Sequence, residues 1–265
     1  MAASDLAPAL RTAATDGAPS VSRGLWLSFL SAYGLEAVLT GAGASILSTE
    51  RSGATAGSAG DGGGGVGWIG LDLQHGDLDV VDVVPLVRVA ERAGMPVLAR
   101  MASHAGDAIG KVVDAGAQGV IVPGVESASE AAALVRVTRL PPVGGRSTGS
   151  ARTALGITDG GEPLLLPMVE TASGLAAAAD IAAVDGVDGI FIGPYDLSMS
   201  LGCRPGDDQV MTAIASVIDI VRAAGKIIGM FAGRPDLLAV APRLDLVAVD
   251  TDVTALRRGV ADLFG

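Results

Sequence analysis

Two carboxylates follow directly on apolar runs in this chain. Glu170 closes Leu164-Leu165-Leu166-Pro167-Met168-Val169-Glu170, and Asp196 closes Ile190-Phe191-Ile192-Gly193-Pro194-Tyr195-Asp196. A carboxylate just past the carboxyl end of a buried strand is where α/β enzymes place their chemistry. Two such oxygen ligands suit a hard divalent ion such as Mg²⁺ or Mn²⁺, with water and substrate in the remaining positions. Other residues close apolar runs in the same way, most of them polar. Asp72, Gln74 and His75 follow one, Arg100 ends a second, Glu126 follows a third, Phe231 ends another, and Asp250 follows the last. A histidine supplies a proton carrier near neutral pH, and an arginine a fixed positive charge for a developing anion. Each also has a plainer reading. His75 alone fits a structural histidine, and Arg100 alone fits an ion pair with Asp72 or Glu126. Glu170 and Asp196 would each favour the dipole of a following helix. Asp114 and His104, read singly, are surface residues. The functional reading rests on the set occurring together.

The elements that would position this set alternate regularly. Strand-like runs are expected at Gly24–Ser28, Trp68–Leu73, Pro96–Arg100, Gly119–Val122, Leu164–Val169, Ile190–Ile192, Ile227–Phe231 and Leu246–Val249. A helical stretch follows each, the longest at Val80–Arg92 and Asp208–Ala223, with Ser127 or Ser129 as N-cap of a helix reaching Thr138. Nearly continuous Val, Ile and Leu in the strands implies burial on both faces, as in a parallel sheet. Eight strand–helix pairs predict an α/β fold of the (β/α)8 TIM-barrel type. A doubly wound open sheet is the alternative, but no Gly-x-Gly-x-x-Gly follows an early strand. Residues 1–21 read as a weakly ordered arm and 22–265 as one barrel domain. The Gly- and Ser-rich stretch at about 45–67 reads as a flexible insertion, since it lacks the Gly-Lys-Ser/Thr ending of a phosphate loop.

Composition narrows the chemistry. A net charge of −11 argues against nucleic acid and anionic membrane as partners. No apolar run reaches the roughly 18 residues of a membrane helix. With 49% hydrophobic residues, the apolar surplus points to a large core, subunit interfaces, or both. The N-terminal stretch lacks a basic segment followed by an apolar core, so no secretory leader is expected. Cys203 is the one cysteine, which fits a reducing cytoplasm. Lys111 and Lys226 are the two lysines, one expected in mid-helix and one at a strand start, so a Schiff-base mechanism has no well-placed amine.

Read together, these segments resemble the HpcH/HpaI family of class II, metal-dependent pyruvate aldolases. The matching words are Gly24-Leu25-Trp26, Asp72-Leu73-Gln74-His75-Gly76, Pro96 to Arg100, Val113 to Gly119, Pro141 to Arg146, Val169-Glu170-Thr171 and Gly189 to Gly202. The resemblance implies a carbon–carbon lyase that joins pyruvate, or a close 2-oxo acid, to an aldehyde through an enolate stabilised by Mg²⁺, Mn²⁺ or Co²⁺. Glu170 and Asp196 would be the metal ligands. Backbone amides near Gly193, Pro194, Tyr195 and Asp196 would hold the substrate carboxylate, and Arg100 would share the charge on its keto oxygen. His75, oriented by Asp72, would shuttle the aldol proton through a water on the metal. Gln74, Met168 and Phe231 would shape the substrate pocket, and Asp114 would reach a neighbouring subunit's site. The family is hexameric, so a homo-oligomer is implied, with Val253–Phe264 as a last helix exchanged between paired barrels.

Three positions and one segment depart from the family's pattern, and the 45–67 insertion is extra to it. Gln74 stands where Glu is usual, Met168 where a polar residue is usual, and Tyr195 where a smaller residue is common; the segment between Gly149 and Pro163 is also short. These departures bear on the electrophile. The same chemistry with another partner would give a citrate-synthase-like enzyme, an acyl-CoA lyase or an oxaloacetate decarboxylase. A different class is a non-catalytic barrel that binds a metabolite.

Overall fold

Strands Ser22–Leu27 (β1), Trp68–Asp72 (β2), Val97–Arg100 (β3), Gly119–Val122 (β4), Leu164–Val169 (β5), Gly189–Ile192 (β6), Ile227–Phe231 (β7) and Leu246–Thr251 (β8) pair in parallel, each with the next. β8 pairs back onto β1 and closes the barrel. The computed structural model describes residues 21–41, 66–149, 151–155 and 162–265. The arm expected over 1–21 and the insertion expected over 45–67 lie outside these, except for Val21, Val66 and Gly67. Among the described residues no helix is long and apolar enough to cross a membrane.

The strands are buried on both faces, and the two faces pack differently. Inside the barrel, Trp26, Trp68, Leu98, Ile121, Leu166, Phe191, Ile227 and Leu246 form one cluster. Their rings interlock: Trp26 meets Trp68 edge-on at 6.2 Å and stacks on Phe191 at 5.9 Å. Gly70 makes room for this, since a Cβ there would come within 2.6 Å of the Trp26 ring. Outside, a second and larger cluster joins the strands to the helices.

The helices are Ala32–Gly41 (α1), Val80–Arg92 (α2), Gly106–Asp114 (α3), Ala128–Thr138 (α4), Ala151–Ala154 (α5), Ala172–Ala176 (α6), Ala178–Ala183 (α7), Pro194–Ser200 (α8), Asp208–Ala223 (α9), Pro235–Leu238 (α10) and Asp252–Phe264 (α11). α2 shows why such segments are helical. Asp79 and Asp82 form a reciprocal cap, and Val83, Leu86, Val87 and Ala90 recur at helical spacing on the buried face. α9 buries a similar stripe, Val210, Ala213, Ile214, Val217, Ile218 and Val221. α11 is different: Asp252 is its one buried residue.

Three expectations are corrected here. The single helix expected over 173–183 is broken at Ala177, where φ is −92° and ψ is 1°; the Ala-rich pattern carries no punctuation at that point. β8 runs two residues past Val249, because its pairing with β1 continues to Trp26 opposite Thr251. The helix expected after β6 was that at Asp208–Ala223, but a short one, α8, precedes it, with Pro194 in its first turn, a position proline favours. Ser127 is the N-cap of α4, its hydroxyl accepting from the Glu130 N–H at 3.2 Å.

Candidate active site

A cavity of about 290 Å³ opens at the carboxyl ends of the strands. Trp26, Ser28, Asp72, His75, Arg100, Met168, Gly193, Pro194, Tyr195, Asp196, Phe231 and Thr251 line it. Nine of these were expected from the sequence.

Arg100 is the most firmly placed. Its Nε donates to Asp72 Oδ1 at 3.0 Å and its Nη2 to Oδ2 at 2.6 Å, a two-pronged pair. The guanidinium carbon also lies 5.3 Å from the centre of the Trp26 ring, and Trp26 Nε1 donates to Asp72 Oδ2 at 3.2 Å. The strand register makes this possible, since Asp72 and Arg100 are partners across β2 and β3. Burial opposes ionisation of Asp72. The Arg100 guanidinium, with the N–H groups of His75 and Gln74, outweighs that and holds its carboxyl below the usual range.

Asp72 meets His75 through the backbone. Its Oδ1 accepts from the Gln74 N–H at 3.0 Å and the His75 N–H at 3.1 Å. The carboxylate therefore sets the turn that carries the imidazole rather than the ring itself. His75 is exposed and faces the cavity.

Glu170 and Asp196 form an unequal pair. Glu170 is 7% exposed, and its Oε1 accepts from the Gly124 N–H at 2.7 Å. Asp196 is exposed in the first turn of α8. Burial pushes the Glu170 carboxyl up and the charge of Asp196 pushes it further, with the Gly124 N–H and Arg100 offsetting part. A buried carboxylate whose ionisation is opposed by a neighbouring one forms with it a donor set suited to a cation. Gly193 allows this packing: a Cβ there would lie 2.8 Å from Glu170 Oε2 and 2.7 Å from Met168 Cε.

The opposite wall is aromatic. The Tyr195 and Phe231 rings lie 5.9 Å apart, and Phe231 meets Trp26 edge-on at 5.7 Å. Burial pushes the Tyr195 phenol up, so it stays protonated. Met168, 3% exposed, adds a thioether where a polar group was the pattern.

Three expected residues do not line the cavity. Glu170 lies behind Gly193, in the position just described. Gln74 is turned away from solvent, with a buried Oε1 that has no hydrogen-bond partner among the described residues. Asp114 ends α3, where its Oδ1 accepts from Arg146 Nη1 at 2.9 Å. His104, expected at the surface, is exposed, and its Nε2 lies 2.7 Å from the Pro123 carbonyl oxygen. Ser28, Thr251 and Trp26 were not among the expected site residues. The strand-end rule that found Arg100 would have found Ser28 had it been applied to β1; at β8 it pointed to Asp250, one residue before Thr251.

A model of the HpcH/HpaI aldolase/citrate lyase family matches residues 62–240. A hydroxypyruvate/pyruvate aldolase of Pseudomonas aeruginosa is 37% identical over 215 residues, covering 76% of this chain and 80% of that protein. A 4-hydroxy-2-oxo-heptane-1,7-dioate aldolase of Klebsiella pneumoniae is 34% identical over 269 residues, covering 96% and 92%. Among solved structures, a HpcH/HpaI aldolase/citrate lyase family protein from Burkholderia cenocepacia superposes with a TM-score of 0.77 at 27% identity, over 96% of this chain and 97% of that one.

Proposed function

The chain belongs to the HpcH/HpaI aldolase/citrate lyase family, and from that premise we propose that it is a class II aldolase. It cleaves or forms 4-hydroxy-2-oxo acids, with pyruvate or a close 2-oxo acid as one product and an aldehyde as the other. The observation that carries this reading is the convergence of Asp196, an anchored arginine and an accessible histidine at one cavity, with the buried Glu170 packed behind its Gly193 wall.

Glu170 and Asp196 would hold a divalent cation (Mg²⁺, Mn²⁺ or Co²⁺), which when bound supplies Lewis-acid polarisation of the 2-oxo carbonyl. Their chemistry fits it. Both are hard oxygen donors, the charge of Asp196 opposes ionisation of the buried Glu170, and two carboxylates suffice where substrate oxygens complete the shell. The chain's own groups do the rest. In cleavage, His75 removes the proton of the C4 hydroxyl. The C3–C4 bond breaks, C4 leaves as the aldehyde carbonyl, and the electron pair passes into the 2-oxo acid fragment. Arg100, fixed by Asp72 and Trp26, faces the charge gathering on the keto oxygen. The proton taken by His75 returns to C3, giving pyruvate with no change in oxidation state. Gly193, Pro194, Tyr195, Met168 and Phe231 shape the space for the substrate; Gln74 and Asp114 lie outside it, and Asp114 would reach a neighbouring subunit's site.

The reading extends to assembly and place. Residues 22–265 act as one catalytic barrel in the cytoplasm, within a homo-oligomer. α11 supports the oligomer, since Leu256, Leu263 and Phe264 on it are 57%, 78% and 85% exposed. Exchange of this helix between two barrels would cover them.

The test is pyruvate release from 4-hydroxy-2-oxo acids, measured with and without added Mn²⁺ and after chelation. Chelation should abolish it, and Glu170→Ala or Asp196→Ala should lower kcat/KM on the order of 1000-fold. Undiminished release in both variants contradicts the assignment.

A further inference from the structure

Asp252 is a buried carboxylate, 3% exposed, that no step above uses. It heads α11, and main-chain N–H groups surround it. Oδ1 accepts from Ser28 at 3.0 Å and from its own neighbour Val253 at 2.9 Å. Oδ2 accepts from Phe29 at 3.1 Å and Leu30 at 2.9 Å. Residues 28–30 lie between β1 and α1, and three consecutive N–H groups of that loop converge on this one side chain. Four donors on one carboxylate offset the cost of burying its charge.

The loop leads to the cavity. The Ser28 carbonyl accepts from the Asp77 N–H at 2.7 Å. The same oxygen packs on Gly76, where a Cβ would sit 2.3 Å from it and 2.9 Å from Ser28 Cα. Gly76 and Asp77 directly follow His75. The His75 turn is thus held on both sides: Asp72 takes the His75 N–H, and Ser28 takes the Asp77 N–H. Asp252 fixes the second of these clamps.

We infer that Asp252 is a positioning residue for His75, acting through the 28–30 loop. The inference rests on the proposed role of His75 and adds a residue far along the chain to that role. A carboxylate is required. Asparagine keeps the size but would turn an NH₂ group towards two of the N–H donors, so the loop would lose one or two of its three bonds.

The test separates positioning from mere support of the fold. Oxaloacetate decarboxylation at the same site breaks a C3–C4 bond and sends its electron pair into the same fragment, but no hydroxyl proton must be removed. The proton that C3 then takes up can come from water, so this reaction reads the acidic pair and Arg100 without the hydroxyl deprotonation by His75. Asp252→Asn should lower kcat for cleavage of a pyruvate–acetaldehyde aldol about 10- to 100-fold, with KM and the decarboxylation rate changed less than about threefold. In a His75→Ala background it should add nothing, because the group it positions is gone. Gly76→Ala, which forces a methyl group against the Ser28 carbonyl, should repeat the selective loss and serves if Asp252→Asn does not fold. Equal losses in both reactions, or a further loss on top of His75→Ala, overturn the inference. If the wild-type protein performs neither reaction, the aldolase reading fails. The clamp is then decided by amide hydrogen exchange at Phe29, Leu30 and Asp77: faster exchange in Asp252→Asn upholds it, and unchanged protection overturns it.

Discussion

Arg100 shows how one side chain can be structural and functional together. Its pairing with Asp72 is the plain alternative that the sequence left open, and the pair is present, with the side chains 11% and 4% exposed. The pairing orients the guanidinium into the cavity, so the structural contact serves the chemical role. Asp72→Asn should therefore cost about 3 kcal/mol of stability at neutral pH, because it leaves a largely buried arginine without its counter-charge. The sign of the pH dependence follows from the depressed carboxyl. The contribution is fully present above the ordinary value of 3.8 and is lost as pH falls through the lower folded value. Urea unfolding of wild type and variant should converge in strong acid and diverge at pH 7. Tyr195 acts at the same scale on specificity. Its ring fills the wall beside Phe231, and Tyr195→Ala should favour bulkier aldehydes about tenfold relative to glycolaldehyde in kcat/KM. Strand-end residues were legible in the sequence because apolar runs stop abruptly at them. Asp252 was not, because three of its four partners are backbone groups more than 220 positions away in the chain, and a carboxylate at a helix start has a commoner explanation in the helix dipole.

At the scale of elements, the barrel was legible because both of its periodicities are written in composition. Continuous apolar runs mark strands covered on two sides, and stripes such as those of α2 and α9 mark the helices that cover them. The short helices were less so. α8 spans seven residues, too few for a stripe, and Pro194 was its main signal. Yet α8 matters most to the site, because it presents Asp196 while Gly193 at its cap presses on Glu170. Gly193→Ala tests this junction. Its methyl group would fall within 2.8 Å of Glu170 Oε2, so Mn²⁺ affinity should drop about 10- to 100-fold while the circular dichroism of the barrel stays unchanged. Unaltered affinity would mean that Glu170 does not rely on this packing.

At the scale of the whole molecule, α11 is the element the barrel leaves unfinished. It buries only Asp252 while exposing Leu256, Val260, Leu263 and Phe264. Replacing Leu263 and Phe264 by Asp should shift the native mass from an oligomer to a smaller species in light scattering; an unshifted mass would place the interface elsewhere. The central claim concerns what completes the site. Burial and the charge of Asp196 make ionised Glu170 costly until a cation joins the two, so the most direct measurement is Mn²⁺ binding followed by electron paramagnetic resonance on wild type, Glu170→Gln and Asp196→Asn. The account predicts one Mn²⁺ per chain in the wild type, a spectrum altered by added pyruvate, and affinity lost by on the order of 100-fold or more in each variant. Equal Mn²⁺ binding in all three proteins, with no response to pyruvate, would contradict it.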